Sequence, residues 1–297
     1  MTVPTPPRRV PRSYLYVPGD RPRMLAKALG RGADALIVDL EDAVAPAARQ
    51  TALRSVRHWL EELPPDNGTD IWVRVNPGPD GLREAAALVG PALRGLCLAK
   101  CPHPGAVAAF HDVLTEREAH LGLTVGGIAL SPLLETAAAV LNAPALAAAP
   151  RVAHLQAGEA DLCAELGMEP RSDDRSELLV VRTTLVLACA AAGIAPPVGP
   201  VSTVFRDAGA LLASTRALRR LGYRSRACIH PDQLPVVHEV FTPSAEEVSA
   251  ARALVERFED AARSGRAVVT GPDGRMVDEA VIRAARRVLA GAPGQAT

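Results

Sequence analysis

The stretch SYLYVPGDRPRMLAKALGRGADALIVDLED, residues 13–42, holds the first repeat of the pattern that decides the fold. Ser13-Tyr14-Leu15-Tyr16-Val17 reads as a short strand, and Pro18-Gly19 ends it because proline withholds a ladder N–H and glycine permits a turn. Arg23 to Arg31 is rich in alanine and straight-chain residues and predicts a helix. Ala35-Leu36-Ile37-Val38 is then a continuous apolar run, the pattern of a strand buried on both faces. A second helix begins near Pro46, since proline suits a first helical turn. The order is βαβα, with polar residues placed after the strands.

The same rhythm runs outward along the chain. Further strands are predicted at Asp70–Val75, Gly95–Ala99, Leu123–Leu130, Val152–Gln156 and Ser225–Ile229, with a weakly marked seventh around Pro196–Val201. Helices at Leu82–Leu88, Pro104–Glu118, Leu133–Leu141 and Leu178–Ala192 alternate with them, and another starts at Pro231. Eight such units predict a closed (β/α)8 barrel over residues 13–242. Residues 1–12 form a Pro-rich tail. Residues 243–297 exceed the minimal barrel, with a helix at Ala245–Ala262, a loop or short hairpin over Gly265–Gly274 and a last helix at Val277–Leu289. They form a C-terminal helical lid extension, suited to cover an active site of this chain or of a neighbour.

At 297 residues the chain can bury a substantial core. Apolar residues make up 48% but aromatics only 3%, so burial rests on aliphatic side chains and close helix packing. The 33 basic and 33 acidic residues cancel, leaving no global field to attract nucleic acid or an anionic membrane. The opening MTVPTPPRRVPR lacks the apolar core of a secretory signal and no apolar run is long enough for a membrane helix, so the expected compartment is the cytoplasm. Cys97, Cys101, Cys163, Cys189 and Cys228 form neither a disulfide framework nor a metal spacing, and read as thiols of a reducing compartment. His103, His111 and His120 do not share a helical face that could hold zinc, and His230 lacks the serine and carboxylate partners of a hydrolase.

The barrel reading puts Arg74, Lys100, Glu135 and the pair Glu159 and Asp161 near strand C-termini, where the βα loops converge. Carboxylates from neighbouring units can hold a hard cation, and Glu135 and Asp161 are the preferred direct ligands; helix capping or salt bridging is the alternative. Asp39, Glu41 and Asp42 follow strand two, where three acids repel unless a cation, an arginine or water stabilises them. They read as water-holding or supporting groups, with Glu41 a catalytic candidate if Arg74 faces it, or else as a cap for the helix near Pro46. The guanidinium of Arg74 can neutralise a carboxylate or a developing enolate through directed hydrogen bonds, or close a local salt bridge. Asn76 fixes its loop or holds substrate, Lys100 joins the substrate-binding set, and Gly19-Asp20-Arg21 makes a tight turn whose Arg21 can meet an anion.

Val17-Pro18-Gly19-Asp20-Arg21, Asp39-Leu40-Glu41-Asp42-Ala43-Val44, Arg74-Val75-Asn76 and Leu134-Glu135-Thr136 together resemble the citrate lyase beta-subunit-like family of the HpcH/HpaI aldolase superfamily. Gly158-Glu159-Ala160-Asp161-Leu162 and Ile229-His230-Pro231-Asp232-Gln233 extend the match, which spans residues 13 to 289. The resemblance implies a TIM barrel and a Mg²⁺-dependent carbon–carbon lyase. The substrate would be a short β-hydroxyacyl-CoA such as malyl-CoA or citramalyl-CoA, split into acetyl-CoA and a 2-keto acid, with coenzyme A carried as part of the substrate. It implies Mg²⁺ held by Glu135 and Asp161, Arg74 at the reacting carbonyl, and Asp278 as an acid/base group on a lid serving a neighbouring subunit's site, hence a homotrimer or hexamer. A malyl-thioester hydrolase, an aldolase of free keto acids and a non-catalytic assembly subunit are the alternatives. The chain departs from the family pattern at Glu159, at Ser225-Arg226 in place of Gly-Lys, and at Ala195-Pro196-Pro197, which points to altered acyl-chain or CoA recognition.

Overall fold

The computed structural model describes residues 10–169, 175–204, 206–263, 269–270 and 276–292. It divides into two compact units, residues 11–238 and a second formed by 1–10 with 239–297. The first is a TIM barrel: eight parallel strands close in sequence order, β1 beside β8. They are β1 (Ser13–Pro18), β2 (Ala35–Asp39), β3 (Asp70–Val75), β4 (Leu93–Leu98), β5 (Ala129–Leu134), β6 (Gln156–Ala157), β7 (Val198–Gly199) and β8 (Ser225–Cys228).

Alternate residues of each strand point inward. Tyr14, Ala35, Ile37, Trp72, Cys97, Ala129, Val198 and Ala227 therefore fill the barrel. Gly95 makes room for the indole, because a Cβ there would lie 2.3 Å from the Trp72 ring. Helices α1 (Pro22–Ala28), α2 (Arg49–Glu62), α3 (Gly78–Leu88) and α4 (Pro104–His120) follow the first four strands. After β5 and β6 come α5 (Ala137–Leu141), α6 (Ala143–Ala147), α7 (Glu159–Leu166) and α8 (Leu179–Ala192). Between β7 and β8 runs α9 (Ala208–Leu221), capped by the Asp207 carboxylate accepting from the Ala210 N–H, and α10 (Leu234–Phe241) follows β8.

The fifth strand departs from the sequence reading. It begins at Ala129, not Leu123, and runs on through Ser131-Pro132-Leu133-Leu134. The amides of Gly126 and Ile128 donate to the buried carboxylate of Glu118, at 2.7 and 2.8 Å, and are taken out of any ladder. Gly126 itself turns at φ +87°, a conformation that suits glycine. The sixth strand likewise shortens to Gln156–Ala157, with Val152 in a single isolated bridge to Leu130.

Glu118 also anchors the approach to β5 from below. Arg151, at φ +65° with its side chain buried, meets both Glu118 carboxylate oxygens, at 3.0 and 2.7 Å. Its other contacts are His111 Nδ1, the Thr115 hydroxyl and the Ile128 carbonyl. Every guanidinium nitrogen of this buried pair is thus engaged, as a low-dielectric site requires.

In the second unit, α11 (Ala245–Arg263) packs on α12 (Glu279–Ala290). A two-stranded antiparallel ribbon pairs Val269–Thr270 (β9) with Met276–Val277 (β10). Most of the loop expected over 265–274 lies outside the described residues. Asp278 is the N-cap of α12, its carboxylate accepting from the Val281 N–H at 3.0 Å.

Candidate active site

Asp39 ends β2 and stands in register with Arg74 on β3. One rung of the barrel therefore fixes a guanidinium beside a carboxylate. Arg74 donates from Nε to Asp39 Oδ1 at 2.7 Å and from Nη2 to Oδ2 at 2.5 Å, a bidentate pair with Asp39 only 2% exposed. Its Nη1 lies 3.1 Å from Glu41 Oε2 and 3.5 Å from Asp42 Oδ2. The guanidinium carbon sits 5.3 Å from the centre of the Tyr16 ring. Burial alone would push Arg74 down, but the Asp39 hydrogen bonds hold it above its ordinary value, so it is charged at any working pH.

Lys100 follows β4 in a left-handed conformation, φ 48°, which costs a non-glycine residue about 1–3 kcal/mol. The strained backbone aims two donors at different acids. The Lys100 N–H reaches Glu135 Oε2 and its Nζ reaches Glu41 Oε1, each at 2.5 Å. Glu135, just past β5, is also wedged by Gly158, where a Cβ would stand 2.4 Å from the Glu135 Cγ. Glycine is the residue that lets this carboxylate lie against the loop after β6.

Carboxylate oxygens of Asp42, Glu135 and Asp161 lie within 4.8 Å of one another, Glu135 buried and the other two exposed. Burial, then the neighbouring Asp161 and Glu41, push the Glu135 carboxyl up to about 7. Five carboxylates (Asp39, Glu41, Asp42, Glu135, Asp161) gather here around two cations, Arg74 and Lys100. This excess of hard oxygen donors and negative charge fits a divalent cation such as Mg²⁺.

A pH signature follows. Between the ordinary 4.5 and about 7, the folded metal-free state holds a proton on Glu135 that the unfolded chain has lost. Its contribution to stability therefore falls as pH rises through that window. Mg²⁺ binding at about pH 6 is expected to release close to one proton per site, and almost none at about pH 8.5, read by calorimetry in buffers of different ionisation enthalpy. Equal release at both pH values would show that Glu135 is not part of the binding group.

Most of these groups open on a cleft of about 530 Å³ at the C-terminal mouth of the barrel. Asp39, Asp42, Arg74, Glu135 and Asp161 form its polar side, and Leu133, Val198, Pro200, Val201, Ala227 and Ile229 supply apolar surface. Tyr16 and Gln156 also line it. The structure brings together Arg74, Glu41, Lys100, Glu135 and Asp161 from the sequence-derived set. Asn76 is held elsewhere: its Nδ2 donates to the Leu40 carbonyl at 2.9 Å and to Glu84 Oε1 at 2.6 Å, which fixes the loop after β3. Arg21 is exposed beside Asp20 at 3.4 Å. Asp278 caps α12 in the second unit.

Glu159 also lines the cleft but is not one of the three clustered acids, for Arg182 of α8 grips its carboxylate at 2.6 and 3.0 Å. Arg226 faces the helix layer, donating to the Pro200 carbonyl and to the Ser214 and Thr215 hydroxyls of α9. With no carboxylate among those partners, burial pulls its value down to about 10. It ties β8 to the loop after β7. The roles of Asp39 as the Arg74 anchor, Asp42 as the third acid of the cluster, and Gly158 as the Glu135 wedge were not separable in the sequence. Counting residues back from the ends of β2 and β3 is the one signal that aligns Asp39 with Arg74. Among the described residues no helix is long and apolar enough to cross a membrane.

The HpcH/HpaI aldolase/citrate lyase family model matches residues 12–231. The chain is similar to a (3S)-malyl-CoA thioesterase of Cereibacter sphaeroides, 36% identical over 286 residues that cover 94% of this chain and 93% of the relative. It is also similar to the citrate lyase subunit beta of Escherichia coli, 32% identical over 95% of this chain and 93% of the relative. Among solved structures, protein CitE from Mycobacterium tuberculosis in complex with magnesium, acetoacetate and coenzyme A matches with a TM-score of 0.74 and 31% identity, covering 95% of this chain and 97% of that one.

Proposed function

This chain belongs to the HpcH/HpaI aldolase/citrate lyase family, and from that premise we propose that it is a Mg²⁺-dependent carbon–carbon lyase of a short β-hydroxyacyl-CoA such as malyl-CoA or citramalyl-CoA. The products would be acetyl-CoA and a 2-keto acid. The observation that carries the reading is the acid cluster Asp42, Glu135 and Asp161 opening on the cleft that Arg74 also lines. The relative CitE binds magnesium, acetoacetate and coenzyme A, which supports a metal and a thioester together.

Glu135 and Asp161, with Asp42 beside them, would hold the cation, which supplies Lewis-acid polarisation of the hydroxy-acid oxygens. Arg74 donates to the thioester oxygen as it gains enolate character, and Asp39 keeps the guanidinium edge in place. Lys100 keeps Glu41 and Glu135 apart and oriented by bonding one through Nζ and the other through its backbone N–H. Asp278, on its family resemblance, is the proton-transfer residue, contributed by the lid segment of a homotrimer or hexamer. Five free cysteines suit the reducing cytoplasm.

The similarity to a malyl-CoA thioesterase favours a second reading, in which the thioester is hydrolysed after condensation. Malyl-CoA, citramalyl-CoA and citryl-CoA, incubated with and without Mg²⁺ while free thiol and keto acid are both followed, separate the two. Keto acid released together with acetyl-CoA supports the lyase; free thiol without keto acid supports the hydrolase. The Glu135→Gln, Asp161→Asn double variant is expected to bind Mg²⁺ at least about 100-fold more weakly. Unchanged affinity by calorimetry would remove this cluster as the metal site.

A further inference from the structure

The guanidinium of Arg74 has few donors left for a substrate. Its Nε and one Nη2 N–H go to Asp39, and its Nη1 faces Glu41 at 3.1 Å and Asp42 at 3.5 Å. Among the described residues one Nη2 N–H has no acceptor. A thioester oxygen that becomes an enolate oxygen gains charge and can accept from two donors, and single donors of this kind carry large rate factors. The site therefore calls for a second donor close to Arg74.

Tyr16 stands there. Its ring lies beneath the guanidinium, and it lines the cleft from β1. Among the described residues its hydroxyl has no hydrogen-bond partner, and the side chain is only partly buried where it lines the cleft. The other two tyrosines differ: Tyr14 is sealed in the barrel core, and the Tyr223 hydroxyl is committed to the Arg182 carbonyl. Burial holds the Tyr16 phenol above its ordinary value, so the oxygen keeps its proton.

We propose that Tyr16 is a catalytic residue whose hydroxyl donates a hydrogen bond to the developing thioester enolate oxygen, completing with Arg74 a two-donor oxyanion site. The inference rests on the lyase reading above. Its ring also serves the guanidinium by stacking, which makes the hydroxyl and the ring separable by substitution.

Tyr16→Phe removes the oxygen and keeps the ring. With malyl-CoA and Mg²⁺, kcat is expected to fall about 100-fold while KM stays within about threefold. Melting midpoint and Mg²⁺ affinity are expected to match the wild type. Tyr16→Leu, which also loses the stacking on Arg74, is expected to lower kcat at least as far and to lower the melting midpoint. A Tyr16→Phe enzyme with kcat near that of the wild type, or one whose defect lies in KM and melting alone, overturns the inference and leaves the lyase reading standing. A wild-type enzyme that releases keto acid from none of the three thioesters overturns the lyase reading, and this inference with it.

Discussion

Arg74→Lys is expected to lower kcat by about 100- to 1000-fold, the range seen when a pre-organised donor to a developing oxyanion is lost. An ammonium keeps the charge but cannot offer two parallel N–H groups to Asp39 and a third to substrate. Asp39, 2% exposed, would keep the Glu41 and Ala43 amides but would meet the ammonium at a single point, so the remaining donor would wander. The Arg74→Ala change goes further, leaving the buried carboxylate of Asp39 with no cation in its rung. Removing one partner of a buried ion pair destabilises by about 3–5 kcal/mol, so this variant mixes a folding defect with a catalytic one. The lysine variant is the cleaner test, with turnover and melting measured on one preparation. Full turnover by Arg74→Lys would exclude the directed role of the guanidinium.

Glu118→Ala is expected to have the largest effect on stability and little on chemistry. The carboxylate is fully buried, accepts from Gly126 and Ile128 and pairs with both Nη groups of Arg151. Its loss leaves a buried guanidinium and two amides without their acceptor, about 3–5 kcal/mol. For a chain of this size that lowers the melting midpoint by roughly 10 °C. The network sits before β5, whereas Glu135 follows it, so kcat and KM below the transition are expected to hold. Glu118→Leu combined with Arg151→Met is expected to recover part of the loss, since two apolar side chains leave no buried charge. A shift of less than a few degrees in Glu118→Ala would show that the pair is dispensable.

Arg74 and Arg151 are held by carboxylates in different settings. Arg151 is surrounded by fixed acceptors and only holds structure, while Arg74 shares its acids with an open cleft. Both are buried cations satisfied by carboxylates. Position along the strands separates them, because βα loops meet at the C-terminal mouth and the opposite end packs for stability.

Much of this was legible in the chain itself. Apolar runs such as Ala35–Val38, each followed by a polar residue and a helix, fix a repeating βα unit whatever the distant contacts, because a strand buried on both faces has nowhere to place polar side chains except its ends. Arg74, Glu135 and Asp161 could be put near the mouth by that rule alone. Local sequence failed where a distant group intervenes. Glu118 takes the amides of Gly126 and Ile128, so β5 starts later than its apolar run suggests, and β6 and β7 are too short to show a period. The register of β2 on β3 made Asp39 the anchor of Arg74, and the pairing of β6 on β5 brought Asp161 to Glu135, where Asp42 from the loop after β2 joins them while Arg182 holds Glu159. Residue type and spacing thus determined which side chains reach the mouth of the barrel. Only the closed sheet decided which acid meets which cation, because hydrogen bonds and charge act over a few ångströms and the partners stand 20 to 60 residues apart, as Arg182–Glu159 (23), Arg74–Asp39 (35) and Lys100–Glu41 (59) do.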